Sequence, residues 1–222
     1  MKRILSVRFS RAVNTYNRWA IPQRVTALKL ARLLGNINGS VLDVGCGTGF
    51  LSEFLGVQGV IGIDISPAMA KYFAEKYGTA VIGDAERMPF KDKSFDWAVS
   101  SFSLHWTDMK RSLREMRRVS RKGIAGSIPV KGSIESSGFP FPDPEFIIEI
   151  LESIGCYVLS KHIEIIDIPF KGLDLIRFFH YTGASYNPSA KVIFSRKKLM
   201  ESANSMTRSH FRVLFFLCKI KS

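Results

Sequence analysis

The sequence predicts an α/β fold: a doubly wound, mostly parallel sheet of seven strands with an N-terminal helical cap. Short apolar strand patterns alternate with helical patterns between residues 40 and 130, which is typical of parallel sheets covered by helices on both faces. A glycine-rich turn joins the first strand to the next helix. Ahead of that strand, Ala27, Leu30, Ala31 and Leu34 recur at helical spacing, so one face of a preceding helix is buried.

The elements follow in a regular order. Strands are predicted at 41–44, 60–65, 80–84, 96–101, 124–130, 157–170 and 211–219, and helices at 50–55, 67–77, 109–122, 144–154 and 172–182. Ser66 with Pro67 and Asp108 supply helix starts. We interpret 1–222 as one domain, in which 1–39 form the cap, 40–130 the binding core, and 131–222 the acceptor-side elements and last strands.

Composition narrows the class of protein. The chain has 222 residues, 46% of them apolar, and its formal net charge is +13 at pH 7. No apolar run reaches membrane-spanning length and the N-terminus lacks a signal-peptide pattern, so we expect a cytoplasmic protein that does not bind membranes. The positive charge favours an acidic partner, although it could also reflect a lysine-rich proteome. The three cysteines lack metal-ligand spacing, and we expect no metal.

The glycine-rich turn is the most informative stretch. Gly45, Gly47 and Gly49 alternate after the strand, and glycines let a ligand approach the backbone closely. Dinucleotide sites use a related turn for a pyrophosphate. Asp43, however, lies inside the strand, where a carboxylate suits a cationic amino group and would repel a pyrophosphate. Cys46 is interpreted as a small side chain in a crowded turn, not as a nucleophile.

Polar side chains at the next strand ends complete a binding rim. Asp64, Asp84 and Ser101 all come at or just after a strand, and the carboxyl ends of parallel strands meet at one edge. Asp64 can accept hydrogen bonds from ribose hydroxyls. Asp84 can accept one from an adenine amino group, with the Ala85 N–H meeting a ring nitrogen. Both acids could instead serve only as turn residues.

The segment after the fourth strand offers the candidates on the acceptor side of this rim. His105 is the one titratable residue there, and it is either a general base or, as we prefer, a hydrogen-bonded, substrate-shaping residue. Trp106 is a pocket wall or a core residue.

The pattern Asp-x-Gly-x-Gly-x-Gly at 43–49 resembles the first motif of class I S-adenosylmethionine (SAM) methyltransferases. The opening Phe9-x-Arg11-Ala12 and Tyr16, with Ser103 to Trp106 and the late Thr182-Gly183-Ala184, is most similar to malonyl-acyl-carrier-protein O-methyltransferases of biotin synthesis. The resemblance implies SAM as cofactor, S-adenosyl-L-homocysteine as product, and cofactor-binding residues Tyr16, Gln23, Asp43, Gly45, Cys46, Gly47, Gly49, Asp64, Ile65, Met69, Asp84, Ala85 and Ser101.

The resemblance also implies an acceptor: the free carboxylate of a malonyl group on acyl carrier protein, or another small-molecule acid. Gly138 replaces a basic residue that the family often has, so the cation that would hold the carboxylate is open among Lys131, Lys171 and Arg177. Three alternatives stay open: another small-molecule acceptor, a non-catalytic SAM-binding protein, and RNA. RNA is the less favoured acceptor. The protein would bind it through basic and aromatic residues near the end of the chain, namely Phe194, Arg196, Lys197, Lys198, Arg208, Phe211 and Arg212.

Overall fold

The protein is described from a computed structural model, which covers residues 2–134, 139–185 and 209–221. Within these residues the seven helices are α1 Lys2–Trp19, α2 Ile21–Leu34, α3 Phe50–Leu55, α4 Pro67–Tyr77, α5 Met109–Val119, α6 Pro144–Ser153 and α7 Gly172–Tyr181. A short 3₁₀ turn spans Leu104–Trp106. The basic and aromatic residues from 194 to 208, and Gly138, lie outside the described part of the chain.

One seven-stranded sheet forms the centre, in the order β3-β2-β1-β4-β5-β7-β6. The first five strands pair in parallel, whereas β7 runs antiparallel to both β5 and β6. The strands are β1 Val41–Val44, β2 Ile61–Asp64, β3 Thr79–Ile82, β4 Phe95–Ser101, β5 Ser120–Pro129, β6 Cys156–Asp167 and β7 His210–Ile220. The predicted fold class, a mostly parallel doubly wound sheet of seven strands, is therefore confirmed.

The chain order reverses at β1, which lies between β2 and β4. In an open α/β sheet such a reversal leaves a crevice outside the carboxyl ends of the strands, because successive connections leave in opposite directions. Two buried apolar clusters cover the two faces of the sheet. One includes Leu30 of α2 and the other Leu113 of α5, and neither side chain has any exposed surface. The sheet is thus fixed on both sides, which holds its carboxyl edge in place.

Helix starts agree with their sequence signals. The Ser66 hydroxyl accepts a hydrogen bond from the Met69 N–H at 3.2 Å, and the Asp108 carboxylate accepts one from the Arg111 N–H at 3.1 Å. Each satisfies a backbone donor that the first turn of a helix leaves unpaired. α1 packs against α4 and α7 and so lies across the carboxyl edge.

Several boundaries differ from the prediction, among them the ends of β3, α5 and β6, the last of which is at Asp167 and not at Phe170. β3 ends at Ile82, so Asp84 lies in a turn beyond the strand, where it pairs with Arg87. α5 ends at Val119 rather than near Lys122, and β5 begins at Ser120, which pairs with Phe95. Pairing with a neighbouring strand decides this second boundary, because the residues themselves suit either state.

Candidate binding cleft

The glycine turn between β1 and α3 is tightly enclosed. Gly45, Gly47 and Gly49 have φ angles of 68°, 52° and 87°, in the left-handed region that side chains disfavour. A Cβ at position 45 would lie 2.3 Å from the Ser103 Oγ, and one at position 49 would lie 2.1 Å from the Tyr77 ring. Positions 45 and 49 therefore require glycine for close packing as well as for backbone conformation, whereas a Cβ at position 47 would meet nothing within 4 Å.

Asp43 is buried beneath this turn. Its side chain is 2% exposed, and one carboxylate oxygen accepts a hydrogen bond from the Ser52 hydroxyl at 2.9 Å. Burial raises the pKa of Asp43 to about 7, against the lowering effect of the Ser52 hydrogen bond. A carboxylate buried at this depth lacks a cation among the described residues, so a positively charged ligand group would stabilise it.

A second polar atom near Asp43 lacks a partner. The Oε1 of Gln23 is buried without a hydrogen-bond partner in the described part of the chain. Gln23 and Asp43 line the same cavity of about 330 Å³. Because buried polar atoms are nearly always hydrogen-bonded in native proteins, the unpartnered Gln23 Oε1 points to a ligand that donates a hydrogen bond. The Asp43 carboxylate in the same cavity would favour a ligand with a positive charge.

Asp64, at the end of β2, is organised by the backbone. Its two oxygens accept hydrogen bonds from the Gly47 N–H at 2.9 Å and the Ser66 N–H at 2.8 Å. Burial raises the pKa of Asp64, and these backbone donors partly oppose the rise. Each carboxylate oxygen can accept a further hydrogen bond, so the side chain is held in one orientation and can still receive hydroxyl groups.

Asp84 forms an ion pair with Lys2, the first residue of α1. The Lys2 ammonium lies 2.6 Å from the Asp84 carboxylate and 2.7 Å from that of Glu86, while the Glu86 N–H donates to the second Asp84 oxygen at 2.9 Å. Burial acts to lower the pKa of Lys2, but the hydrogen bonds to both carboxylates outweigh it and the pKa is raised. A ligand amino group at Asp84 would therefore share this carboxylate with Lys2.

The cleft at this edge holds about 790 Å³ of space, part of which is open to solvent. Of the predicted cofactor-binding residues it is lined by Tyr16, Gly45, Gly47, Asp64, Ile65, Met69, Asp84, Ala85 and Ser101. The smaller cavity shares Tyr16, Gly45, Gly47 and Ser101 with it, and adds Gln23, Asp43 and Cys46. Gly49 lines neither cavity, and its close approach to Tyr77 is a packing requirement.

We call the part of the cleft formed by Asp43, Asp64 and Asp84 the carboxylate end. Cys46 is buried beside it, and burial raises the pKa of its thiol, which keeps the sulfur protonated and a poor nucleophile. The thiol lies beneath β2, where a Cβ on Gly62 would come within 2.7 Å of it. Its interpretation as a small packing residue therefore stands.

The opposite part of the cleft, which we call the aromatic end, is formed by rings. Phe9 and Trp106 make an edge contact with ring centroids 5.9 Å apart, and Phe139 lies 5.0 Å from Trp106. Phe102 adopts a left-handed φ of 57°, a costly conformation for this residue, and its ring packs 4.8 Å from Phe211. Strained backbone at such a site indicates that the position of this ring matters.

His105 lies behind this wall, not in it. Its ring packs against Phe102, Phe139 and Phe141 at 5.6, 5.9 and 6.1 Å, and it does not line the cleft as Trp106 does. Burial lowers the pKa of His105 to about 3, and its Nδ1 has no hydrogen-bond partner among the described residues. A neutral imidazole of such low basicity is poorly suited to remove a proton.

The three candidate cations lie elsewhere. Lys131 and Lys171 are exposed, and Arg177 donates to Asp174 at 2.8 Å on the solvent side of α7. Among the described residues that line the cleft, Lys2 is the sole cation. The structure therefore does not bring Lys131, Lys171 or Arg177 to the cleft wall.

The cap contributes more than the sequence indicated. Besides Tyr16, α1 places Lys2, Leu5 and Phe9 in the wall, and the predicted residue set omitted all three. The helical spacing of Leu5, Phe9, Ala12 and Tyr16 was a signal that could have identified them.

Over the part of the chain that the structure describes, no group of three metal-binding side chains occurs. None of the described helices is long and apolar enough to cross a membrane.

Comparisons with known proteins agree with this geometry. Residues 42–125 match the family described as Methyltransferase domain. Malonyl-[acyl-carrier protein] O-methyltransferases are 34% identical in Hamiltonella defensa (128 residues; 55% of this chain, 50% of the relative) and 34% in Yersinia pestis (145 residues; 62% and 54%). The chain thus spans about half the length of the curated relatives it matches.

The fold has solved counterparts as well. A SAM-dependent methyltransferase from Thermotoga maritima superposes with a TM-score of 0.64 at 18% identity, over 98% of this chain and all of the other. The matched segment holds the glycine turn, Asp64, Asp84 and Ser101, and the predicted cofactor class, SAM, agrees with the family. The segment 42–125 is thus similar to a class I SAM-dependent methyltransferase domain, as the motif at 43–49 predicted.

Proposed function

We propose that the chain binds SAM in this cleft and transfers its methyl group to the free carboxylate of a malonyl group carried by acyl carrier protein, a step of biotin biosynthesis. The observation that carries SAM binding is one cavity that holds both the buried Asp43 carboxylate, which forms no ion pair with the described residues, and the buried Gln23 Oε1, which has no hydrogen-bond partner among them. The names and identities of the relatives support the choice of acceptor.

The residues fit the groups of SAM one by one. Asp43 and Gln23 would hold the ammonium group, since both present acceptors in one small cavity. Asp64, oriented by two backbone N–H groups, would accept the ribose hydroxyls. Asp84 and the Ala85 N–H would meet the adenine edge, with Lys2 as a neighbour of the same carboxylate.

Bound SAM supplies an activated methyl group as the electrophile. The protein then has to hold the acceptor in line and exclude water, because alignment supplies much of the rate in such a displacement. The rings of Phe9, Phe102 and Trp106 form an apolar wall suited to excluding water. A carboxylate acceptor carries no proton to remove, which is consistent with the low basicity of His105.

An amine acceptor would impose a different requirement. It must lose a proton at some stage, so a group with a pKa near neutrality should face the acceptor. Among the described residues that line the aromatic end, none is titratable near neutral pH. This observation favours a carboxylate over an amine.

The test is methyl transfer from labelled SAM to malonyl-loaded acyl carrier protein, with the methyl ester identified by mass spectrometry. We expect ester formation that requires both the malonyl group and Asp43. An acetyl-loaded carrier is the matched control, because it lacks the free carboxylate. If SAM binds but no ester forms on the malonyl carrier or on malonyl-coenzyme A, the proposed acceptor is wrong.

A further inference from the structure

The outward side of α1 has an unusual composition for the wall of a cleft. The helix Lys2–Trp19 carries five basic residues and no acidic one. Arg3, Arg11 and Arg18 are exposed, and among the described residues none of the three has an ion-pair partner. By contrast, Lys2 points inward and forms ion pairs with Asp84 and Glu86, so it is not part of the exposed basic surface.

Two apolar side chains share this outward side. Ile4 is 47% exposed and Val7 is 43% exposed, although Leu5 and Ala12 of the same helix are buried. The spacing of residues 4, 7, 11 and 18 by three, four and seven places them along one stripe of the helix. We call Arg3, Ile4, Val7, Arg11 and Arg18 the outer face of α1.

The outer face adjoins the aromatic end of the cleft. Phe9, which lies between Val7 and Arg11 in the chain, turns inward and contacts Trp106. A partner seated on the outer face would therefore be one helix width from the place where an acceptor has to enter. A surface of arginine side chains around exposed aliphatic side chains suits an acidic protein with a small apolar patch.

Other partners fit this surface less well. A membrane-bound amphipathic helix inserts its broad apolar face, whereas the broad apolar side of α1 is already packed on α4 and on the cleft. Single-stranded nucleic acid is bound by exposed aromatic rings between cations, and the outer face has none. Charge complementarity and the absence of stacking groups thus select a protein.

We propose that the outer face of α1 is the docking surface for an acidic carrier protein, which delivers its thioester-linked acyl group past Phe9 and Trp106. This inference rests on the proposed function, since it names the surface that recognises the carrier. It assigns recognition to the cap, and not to the sheet or to the cleft.

The test compares two triple charge reversals. In the first, Arg3→Glu, Arg11→Glu and Arg18→Glu alter the outer face. In the second, Lys110→Glu, Arg114→Glu and Lys161→Glu remove the same amount of charge from exposed positions on α5 and β6. Each variant is assayed with malonyl-acyl carrier protein and with malonyl-N-acetylcysteamine, a thioester that has no protein part.

We expect the outer-face variant to raise KM for malonyl-acyl carrier protein at least about tenfold, while kcat/KM for the small thioester stays within about twofold. The control triple should change both values little. Ile4→Gln with Val7→Gln keeps the charges and the helix propensity, and should raise the dissociation rate of the carrier without changing the salt dependence of association.

Each outcome has one meaning. If wild-type protein methylates neither thioester, the proposed function fails. If it methylates both and the two triple variants behave alike with the carrier, the docking surface is wrong although the function stands. If the outer-face variant loses binding to anionic lipid vesicles but keeps its KM for the carrier, the face recognises membranes instead and the proposal is overturned.

Discussion

At the carboxylate end, Asp43 and Asp64 are fixed by a hydroxyl and by two backbone N–H groups, and charged oxygens remain for a ligand. At the aromatic end, the Trp106 ring contacts Phe139 and the Phe102 ring contacts Phe211, and these rings offer shape with little polarity. The first end is specified by short motifs on the chain, and the second by rings from distant segments. The proposed function therefore assigns binding of the charged cofactor and selection of the acceptor to different ends of the cleft.

Replacing Asp43 should produce the largest effect and would test the carboxylate end directly. For Asp43→Ala we expect SAM binding to weaken by about 2–5 kcal/mol, the usual cost of removing one partner of a buried charged pair. Isothermal calorimetry measures the loss, and Asp167→Ala at an exposed position on β6 is the control. An affinity within threefold of wild type would show that Asp43 does not meet the ammonium group.

Gly49→Ala should separate packing from binding within the glycine turn. A Cβ there meets the Tyr77 ring at 2.1 Å, whereas a Cβ at Gly56, which also has positive φ, meets nothing within 4 Å. Both variants carry the left-handed penalty, but Gly49→Ala should cost a further 1–3 kcal/mol, roughly the cost of overpacking. Urea unfolding measures both. Equal losses would mean that the Tyr77 ring moves aside freely.

The pH dependence of SAM binding should show the raised pKa of Asp43, about 7. The positively charged ligand binds the ionised Asp43 carboxylate, and this carboxylate is protonated in the free protein below pH 7. The affinity for SAM should therefore fall up to about tenfold per pH unit below 7, and binding should release one proton. Calorimetry in buffers of different ionisation enthalpy measures this proton. Asp43→Asn should abolish the proton linkage, and its persistence in that variant would assign it to another group.

Without SAM, the stability of the folded protein should change with pH in the direction opposite to that of the SAM affinity. A carboxyl whose folded pKa is raised contributes stability that is present below its ordinary pKa and is lost as pH rises towards 7. Without SAM, Asp43→Asn should therefore gain stability relative to wild type between pH 4 and pH 8. The free energy of unfolding in urea at the two pH values checks the sign, and a constant difference would contradict it.

Lys2→Met should have a smaller effect at the same end. The ammonium of Lys2 is partly exposed and shares the Asp84 carboxylate, so its removal changes the interaction by about 0.2–1 kcal/mol. We expect SAM to bind up to about fivefold more tightly, because Asp84 is freed for the adenine edge. Arg3→Met, on the outer face, is the matched control. Weaker binding in Lys2→Met would instead show that the ion pair holds α1 over the cofactor.

The two ends also differ in how far the sequence could predict them. Asp43, Asp64 and Asp84 could be placed at one edge from the sequence because each lies in or just after a strand, and parallel pairing brings strand ends together whatever the loops do. Lys2 and Phe9 were missed, because helical spacing shows which residues share a face of α1 but does not show that this face packs over the cleft. The contacts of His105 with Phe139 and Phe141 depend on how a Pro-rich segment returns to the site.

His105→Phe should change least, and this outcome would sharpen the contrast between the two ends. Phenylalanine preserves the ring contacts with Phe139 and Phe141, and the buried imidazole, whose pKa is about 3, is neutral throughout the physiological range. We expect kcat within about threefold of wild type and an unchanged pH profile, since loss of a true general base typically costs 10²–10⁴-fold. Trp106→Phe is the companion variant, because it alters a ring that lines the cleft, and it should raise KM for the acceptor more than it lowers kcat. A fall in kcat of a hundredfold in His105→Phe, together with the loss of one limb of the pH profile, would make His105 a base. It would also turn the search for the acceptor from carboxylates to groups that carry a proton.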